Sequence, residues 1–227
     1  MLRVLATDVD IHSCIGDPSA IPEGSYFSAA AYTAYPLSRG HIHITGPAWA
    51  DAIDFATGFF SDANHVDIKM HTWAYNLQRE IMRRTEFYRG ELALGHPKFP
   101  EGSKAALIDL TTETDYASHH AEGEVRSPLV YTAKDDEAIV QYLRETVAST
   151  WHSLGTCKMS PLTDGGVVDV DLNVHGVRGL KVVDLSIAPK NVGANTANTT
   201  FVIAEKGADI ILKELGLKAP FEDGRLY

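Results

Sequence analysis

Only two cysteines, Cys14 and Cys157, occur in 227 residues. No disulfide framework can be built from them, and a reducing compartment fits. No apolar run approaches the ~20 residues of a membrane-spanning helix. The opening Met-Leu-Arg-Val-Leu-Ala-Thr-Asp has too short an apolar core for a signal peptide. Positive charge is in the minority, with 20 Lys and Arg against 30 Asp and Glu and a net charge of −10. That balance argues against nucleic acid as a partner and against an anionic membrane surface. Several signatures are missing as well. There is no Gly-x-Ser-x-Gly elbow, no His-Glu-x-x-His helix and no cysteine pair at zinc spacing, which weakens hydrolase and metalloenzyme readings. No Gly-x-Gly-x-x-Gly turn is present to grip a dinucleotide. Internal repeats and low-complexity tracts are also absent.

The rest is ordinary globular composition, 44% hydrophobic and 22% charged. Residues 1–24 are turn-rich, punctuated by Gly16-Asp17-Pro18 and Ile21-Pro22. Tyr26 to Tyr35 leans to strand. Arg39 to Thr45 alternates, which predicts a half-buried strand with His41 and His43 on one face. Asp62-Ala63-Asn64 precedes a helical period running from Val66 to Thr85. A two-proline loop follows at 95–102, and the polar stretch from Thr111 to Gly123 reads as loop. Ser127 to Thr132 is a strand candidate. Lys134 to Ser149 reads as a helix, with acids in its first turn and Ile139, Val140, Leu143 and Val147 as its buried stripe. Val167 to Val174 and Leu180 to Asp184 read as strands. Thr200 to Leu215 is a third helix, with Ile203, Ala204, Ala208, Ile211 and Leu212 on one side, stopped by Gly216.

Two stretches carry candidate chemistry. In Trp-His-Ser-Leu-Gly-Thr-Cys-Lys-Met at 151–159, His152 is either a general base, since its pKa range suits proton transfer at working pH, or a core histidine. Trp151 is either a pocket wall or core packing. In the second stretch, 184–200, Asn195 either donates to a substrate oxygen or caps the helix that follows. Asp184 either accepts from a sugar or ribityl hydroxyl or is satisfied by nearby main-chain N–H groups. The histidines at 41, 43, 119, 120 and 175 raise a metal hypothesis, which lacks a ligand spacing to support it.

These motifs, read together, resemble the C-terminal part of the glucose–methanol–choline oxidoreductases, and within them the fungal alcohol (methanol) oxidases. The resemblance rests on 151–159, Gly-Val-Val-Asp at 166–169, Leu-Asn-Val-His-Gly-Val at 172–177, Leu-Lys-Val-Val-Asp-Leu-Ser at 180–186 and Asn-Val-Gly-Ala-Asn-Thr at 191–196. Tyr-Pro-Leu-Ser-Arg-Gly at 35–40, Trp-Ala-Tyr at 73–75 and Asp-Asp-Glu-Ala-Ile-Val at 135–140 extend it. It implies an α+β fold with a mostly antiparallel sheet and covering helices, plus a segment completing an FAD-binding domain whose N-terminal Rossmann part lies outside this chain. The division implied is 1–150 as substrate-binding region, 151–216 as catalytic segment and 217–227 as tail. It further implies His152 and Asn195 as the catalytic pair, Trp151 at the alcohol pocket, and Asp184, Leu185, Asn195 and Thr196 beside the cofactor, FAD. The reaction implied takes a small primary alcohol and O2 to an aldehyde and hydrogen peroxide. The full-length protein would be a homo-oligomer, cytoplasmic or peroxisomal, although Gly-Arg-Leu-Tyr at the end is not a Ser-Lys-Leu signal. A non-catalytic interaction module is the rival reading.

Overall fold

The computed structural model describes residues 2–7, 26–86, 88–108 and 126–218, the first six by backbone alone. Among the described residues, four strands, β1 (Leu2–Thr7), β2 (Ser28–Thr33), β3 (His41–Ile44) and β4 (Ile53–Ala56), and three helices, α1 (Val66–Arg83), α2 (Ala133–Thr146) and α3 (Ala197–Glu214), make an α+β chain. The strands form two separate two-stranded antiparallel sheets, β1 with β2 and β3 with β4. The chain divides into two compact units, Met1–Gly40 with Thr57–Ala148, and His41–Ala56 with Ser149–Tyr227.

In the first unit, β1 pairs with β2 from Leu2 opposite Thr33 to Thr7 opposite Ser28. The turn-rich reading of 1–24 therefore missed a strand, because six residues at a terminus carry too little periodicity to register. At the start of α1, Asp62 accepts from Val66 N at 2.6 Å and Asp67 N at 3.3 Å. Asp67, itself buried, accepts from Leu37 N and Ser38 N and ties the segment after β2 to the helix. α2 opens with a reciprocal capping box between Thr132 and Asp135. The stretch 127–132 makes no strand. It is irregular, and Leu129 N donates to Glu80 of α1 at 2.7 Å. The predicted loop at 111–123 lies outside the described residues.

The unit's interior is polar at its centre. Arg79 is buried and makes a bidentate pair with Glu91, Nε to Oε1 at 2.6 Å and Nη2 to Oε2 at 2.8 Å. Beside it, Tyr75 Oη lies 2.7 Å from His96 Nδ1, and Tyr142 Oη donates to Gly95 O at 2.8 Å.

The second unit is built on a small core of Val168, Leu172 and Ile187, with Met159, Val182, Ile203 and Ile210 packed against it. The expected strands at 167–174 and 180–184 are isolated bridges instead, Met159 with Val168, Val168 with Val174 and Asn173 with Lys181. The reason is a turn at 170–171, where Asp169 accepts from Asp171 N and Asn173 N and bends the chain back before a ladder can lengthen. On α3 the packed positions are Ile203, Gly207 and Ile210, while Ala204 and Ala208 are exposed. Gly207 fixes that rotation: a Cβ there would overlap Val183 Cγ1. β3 is exposed along its whole length, not half-buried, and Ile44 is 86% accessible.

Gly207→Ala is expected to lower stability by about 1–3 kcal/mol through overpacking, despite the ~1 kcal/mol that alanine gains in a helix. Urea unfolding followed by circular dichroism measures the balance, and an unchanged or raised midpoint would show that Val183 moves aside freely.

His96 generates a pH dependence. Burial, the largest influence, pulls its imidazole from 6.5 down to about 4. Between those values the unfolded chain binds a proton that the folded chain refuses. The stabilisation is therefore complete above 6.5 and is lost as pH falls to about 4, an effect on the order of 3 kcal/mol. Urea midpoints from pH 7 to 4 should fall more steeply for the natural chain than for His96→Gln; parallel slopes would remove His96 as the cause.

Candidate functional site

The His152 stretch is held by main-chain bonds to the stretch after Asp184. Cys157 N donates to Ser186 O at 2.9 Å and Met159 N to Ile187 O at 2.8 Å. Gly155, at φ 84°, makes the turn between His152 and these bonds, and a Cβ on it would stand 3.2 Å from Ala188 O. A side chain there would be strained and would press on the neighbouring backbone. Met159 and Ile187 belong to the core, so the turn carrying His152 is fixed from below by packing as well as by hydrogen bonds.

His152 is half-buried, and its Nδ1 lies 2.9 Å from Thr196 Oγ1. Thr196 is buried, at 4% accessibility, and stands immediately before α3. Among the described residues nothing hydrogen-bonds to His152 Nε2. Asn195 is exposed; its Oδ1 accepts from Ala197 N at 2.9 Å, and its Nδ2 has no partner among the described residues. The structure thus brings His152 and the Asn195-Thr196 step together. It also shows that Asn195, one residue before the N-cap Thr196, accepts from the first amide of α3 through Oδ1 while Nδ2 has no partner among the described residues.

Asp184 is exposed and begins a 3-10 turn at Leu185–Ile187, with Oδ1 accepting from Ser186 N at 2.7 Å. Trp151 takes a left-handed backbone, φ 58°, and its indole is 83% accessible; it is not core. Trp49 and Trp73 are exposed too, at 98% and 57%. His41 Nε2 lies 3.1 Å from Asp54 on the neighbouring strand, and His175 Nε2 lies 3.0 Å from Ser160 O. Among the described residues no three histidine, cysteine or acidic side chains converge as a metal site would require. No described helix is long and apolar enough to cross a membrane.

At the start of α3 the donor set is incomplete. Asn195 covers Ala197 N and Thr200 N bonds to Thr196 O, which leaves Asn198 N and Thr199 N without acceptors among the described residues. Two main-chain donors beside an imidazole and a carboxamide suit a ligand edge rich in carbonyl oxygens. The side-chain link from Thr196 to His152 was not foreseen from sequence, where Asn195 reads as a donor or a cap and Thr196 only as a neighbour of the cofactor.

The GMC oxidoreductase family model for the C-terminal region matches residues 36–204. Alcohol oxidase of Pichia angusta is 37% identical over 242 residues, covering 91% of this chain and 36% of that protein. Alcohol oxidase 1 of Komagataella phaffii is 38% identical over 237 residues, covering 88% of this chain and 35% of that protein. Among solved structures, an FAD-dependent oxidoreductase from Chaetomium thermophilum is 28% identical with a TM-score of 0.57, covering 85% of this chain and 28% of that one. The chain spans about a third of the length of the curated relatives it matches. With a matched region that includes the His152 turn, the bridged core and the Asn195-Thr196 step, this chain belongs to the GMC oxidoreductase family.

Proposed function

We propose that this chain supplies the proton-handling part of an FAD-dependent alcohol oxidase that converts small primary alcohols to aldehydes with O2, giving hydrogen peroxide. The observation that carries the reading is the 2.9 Å hydrogen bond between His152 Nδ1 and Oγ1 of Thr196, the residue after Asn195, which leaves Nε2 for a ligand. Residues 1–150 would be the substrate-binding region, 151–216 the catalytic segment and 217–227 a tail. Asn195, Thr196 and the free first-turn amides of α3 would hold the flavin ring region, with Asp184 and Leu185 nearer its ribityl chain. FAD, when bound, supplies the two-electron acceptor for the carbon-bound hydrogen and passes the electrons to O2.

The protein's share is the proton and the orientation. His152 Nε2 takes the hydroxyl proton of the alcohol. Asn195 Nδ2 donates to the same oxygen and holds it while negative charge develops there. The exposed indole of Trp151 closes one side of the alcohol site, where a small substrate offers little surface for binding.

In the flavin-loaded protein that carries this chain, His152→Ala should slow anaerobic flavin reduction by alcohol roughly 100- to 10,000-fold. Asn195→Asp keeps an acceptor for Ala197 N but presents no donor, and should slow reduction on the order of 10- to 1,000-fold. The double variant should lose less than the product of the two, since both act on one oxygen. Stopped-flow absorbance isolates this step from reoxidation, and wild-type reduction in His152→Ala would sink the assignment.

A further inference from the structure

We infer that Thr196 is a positioning residue for His152: its hydroxyl fixes the imidazole in the tautomer that has a proton on Nδ1 and a lone pair on Nε2. The inference rests on the reading of His152 as the base. Thr196 Oγ1 lies 2.9 Å from Nδ1, and this is the only hydrogen bond to the ring among the described residues. A neutral imidazole carries its proton on either nitrogen, and the partner of one nitrogen decides the state of the other. If the hydroxyl donated to Nδ1, the proton would sit on Nε2 and the ring could not accept another there. If Nδ1–H donates to Oγ1, Nε2 is free to accept. The protonated ring also carries a proton on Nδ1, so the same bond persists before and after proton uptake and nothing has to reorganise.

The hydroxyl is well placed to impose that choice. Thr196 is 4% accessible, so water does not compete for Oγ1. Its carbonyl accepts from Thr200 N at 3.0 Å and Thr200 Oγ1 at 3.1 Å, which locks its backbone to the first turn of α3. Its branched Cβ restricts the side-chain torsion. On the other side, Gly155 and the bonds from Cys157 and Met159 fix the turn that carries the ring. Two rigid supports thus meet at one hydrogen bond. A hydroxyl is neutral, so it orients the ring without the electrostatic assistance that a carboxylate partner gives.

The test compares Thr196→Val, which keeps the shape and removes the hydroxyl, with Thr196→Ser, which keeps the hydroxyl. Nitrogen-15 NMR of labelled histidine in the whole flavin-loaded protein reads the tautomer of His152 without any turnover. The natural protein should show the protonated-type signal on Nδ1 and the lone-pair signal on Nε2. Thr196→Val should mix or invert them and slow anaerobic flavin reduction about 10- to 100-fold, with alcohol binding nearly unchanged. Thr196→Ser should restore both signal and rate to within a few-fold. An unchanged tautomer in Thr196→Val, or a slow enzyme that serine does not rescue, would overturn the inference. These results are distinct from the failure of the base assignment itself, which would appear as undiminished reduction in His152→Ala.

Discussion

A guanidinium shut away from water must find an acceptor for each of its five N–H groups. Arg79 does so: two go to Glu91, one to Ala105 O, one to Ala106 O and one to Tyr131 Oη, while Phe99 lies 5.0 Å from its carbon. Burial, the largest single influence, works against the charge, but the bonds Arg79 donates to Glu91, the charge of Glu91 and the nearby Tyr75 and Tyr131 together outweigh it and hold the group protonated. A single side chain on α1 therefore gathers three segments that have no regular structure of their own. Ion pairs of this kind add little net stability over an apolar core, yet losing one partner leaves an uncompensated charge, typically about 3–5 kcal/mol. The Arg79–Glu91 pair stands among buried apolar side chains of the same unit, Ile68, Ala74, Ala105 and Ile139.

The second unit solves a different problem. Its site must hold two side chains from stretches some forty residues apart, and neither stretch forms a strand. Short bridges, a hydrogen-bonded turn at Asp169 and the close approach of Val183 to Gly207 take the place of a ladder. Lys181 adds a tie from the same stretch to the end of α3, through Asn173 Oδ1 and Glu214 at 2.7 Å each. The His152 turn and the start of α3 are thus anchored to one core by contacts that are each small.

The three helices were legible because their periods are long and their ends carry local signals, such as Asp62 before α1 and the acids of α2. His152 and Asn195 stood out because their motifs are long and ordered. What stayed hidden was non-local. Nothing around Thr196 indicates that its hydroxyl meets a ring 44 positions earlier. Nothing around Arg79 names Glu91 or Ala105. The strand readings at 127–132, 167–174 and 180–184 failed because apolar alternation records which side chains are sheltered, not whether a partner strand lies alongside. On α3, the periodic pattern put Ala204 and Ala208 on the sheltered side with Ile203, whereas the close contact of Gly207 with Val183 turns Ile203, Gly207 and Ile210 inward.

The exposure of all three tryptophans has a consequence for how the molecule can be observed. An indole that is already in water emits at long wavelength whether the chain is folded or not. Tryptophan emission is therefore a poor witness of unfolding here, and circular dichroism is the better one. The same property makes Trp151 a useful reporter of occupancy. Whatever covers it beside His152 moves a wet fluorophore into a drier setting, and the resulting blue shift or quenching reads out the filling of the site directly.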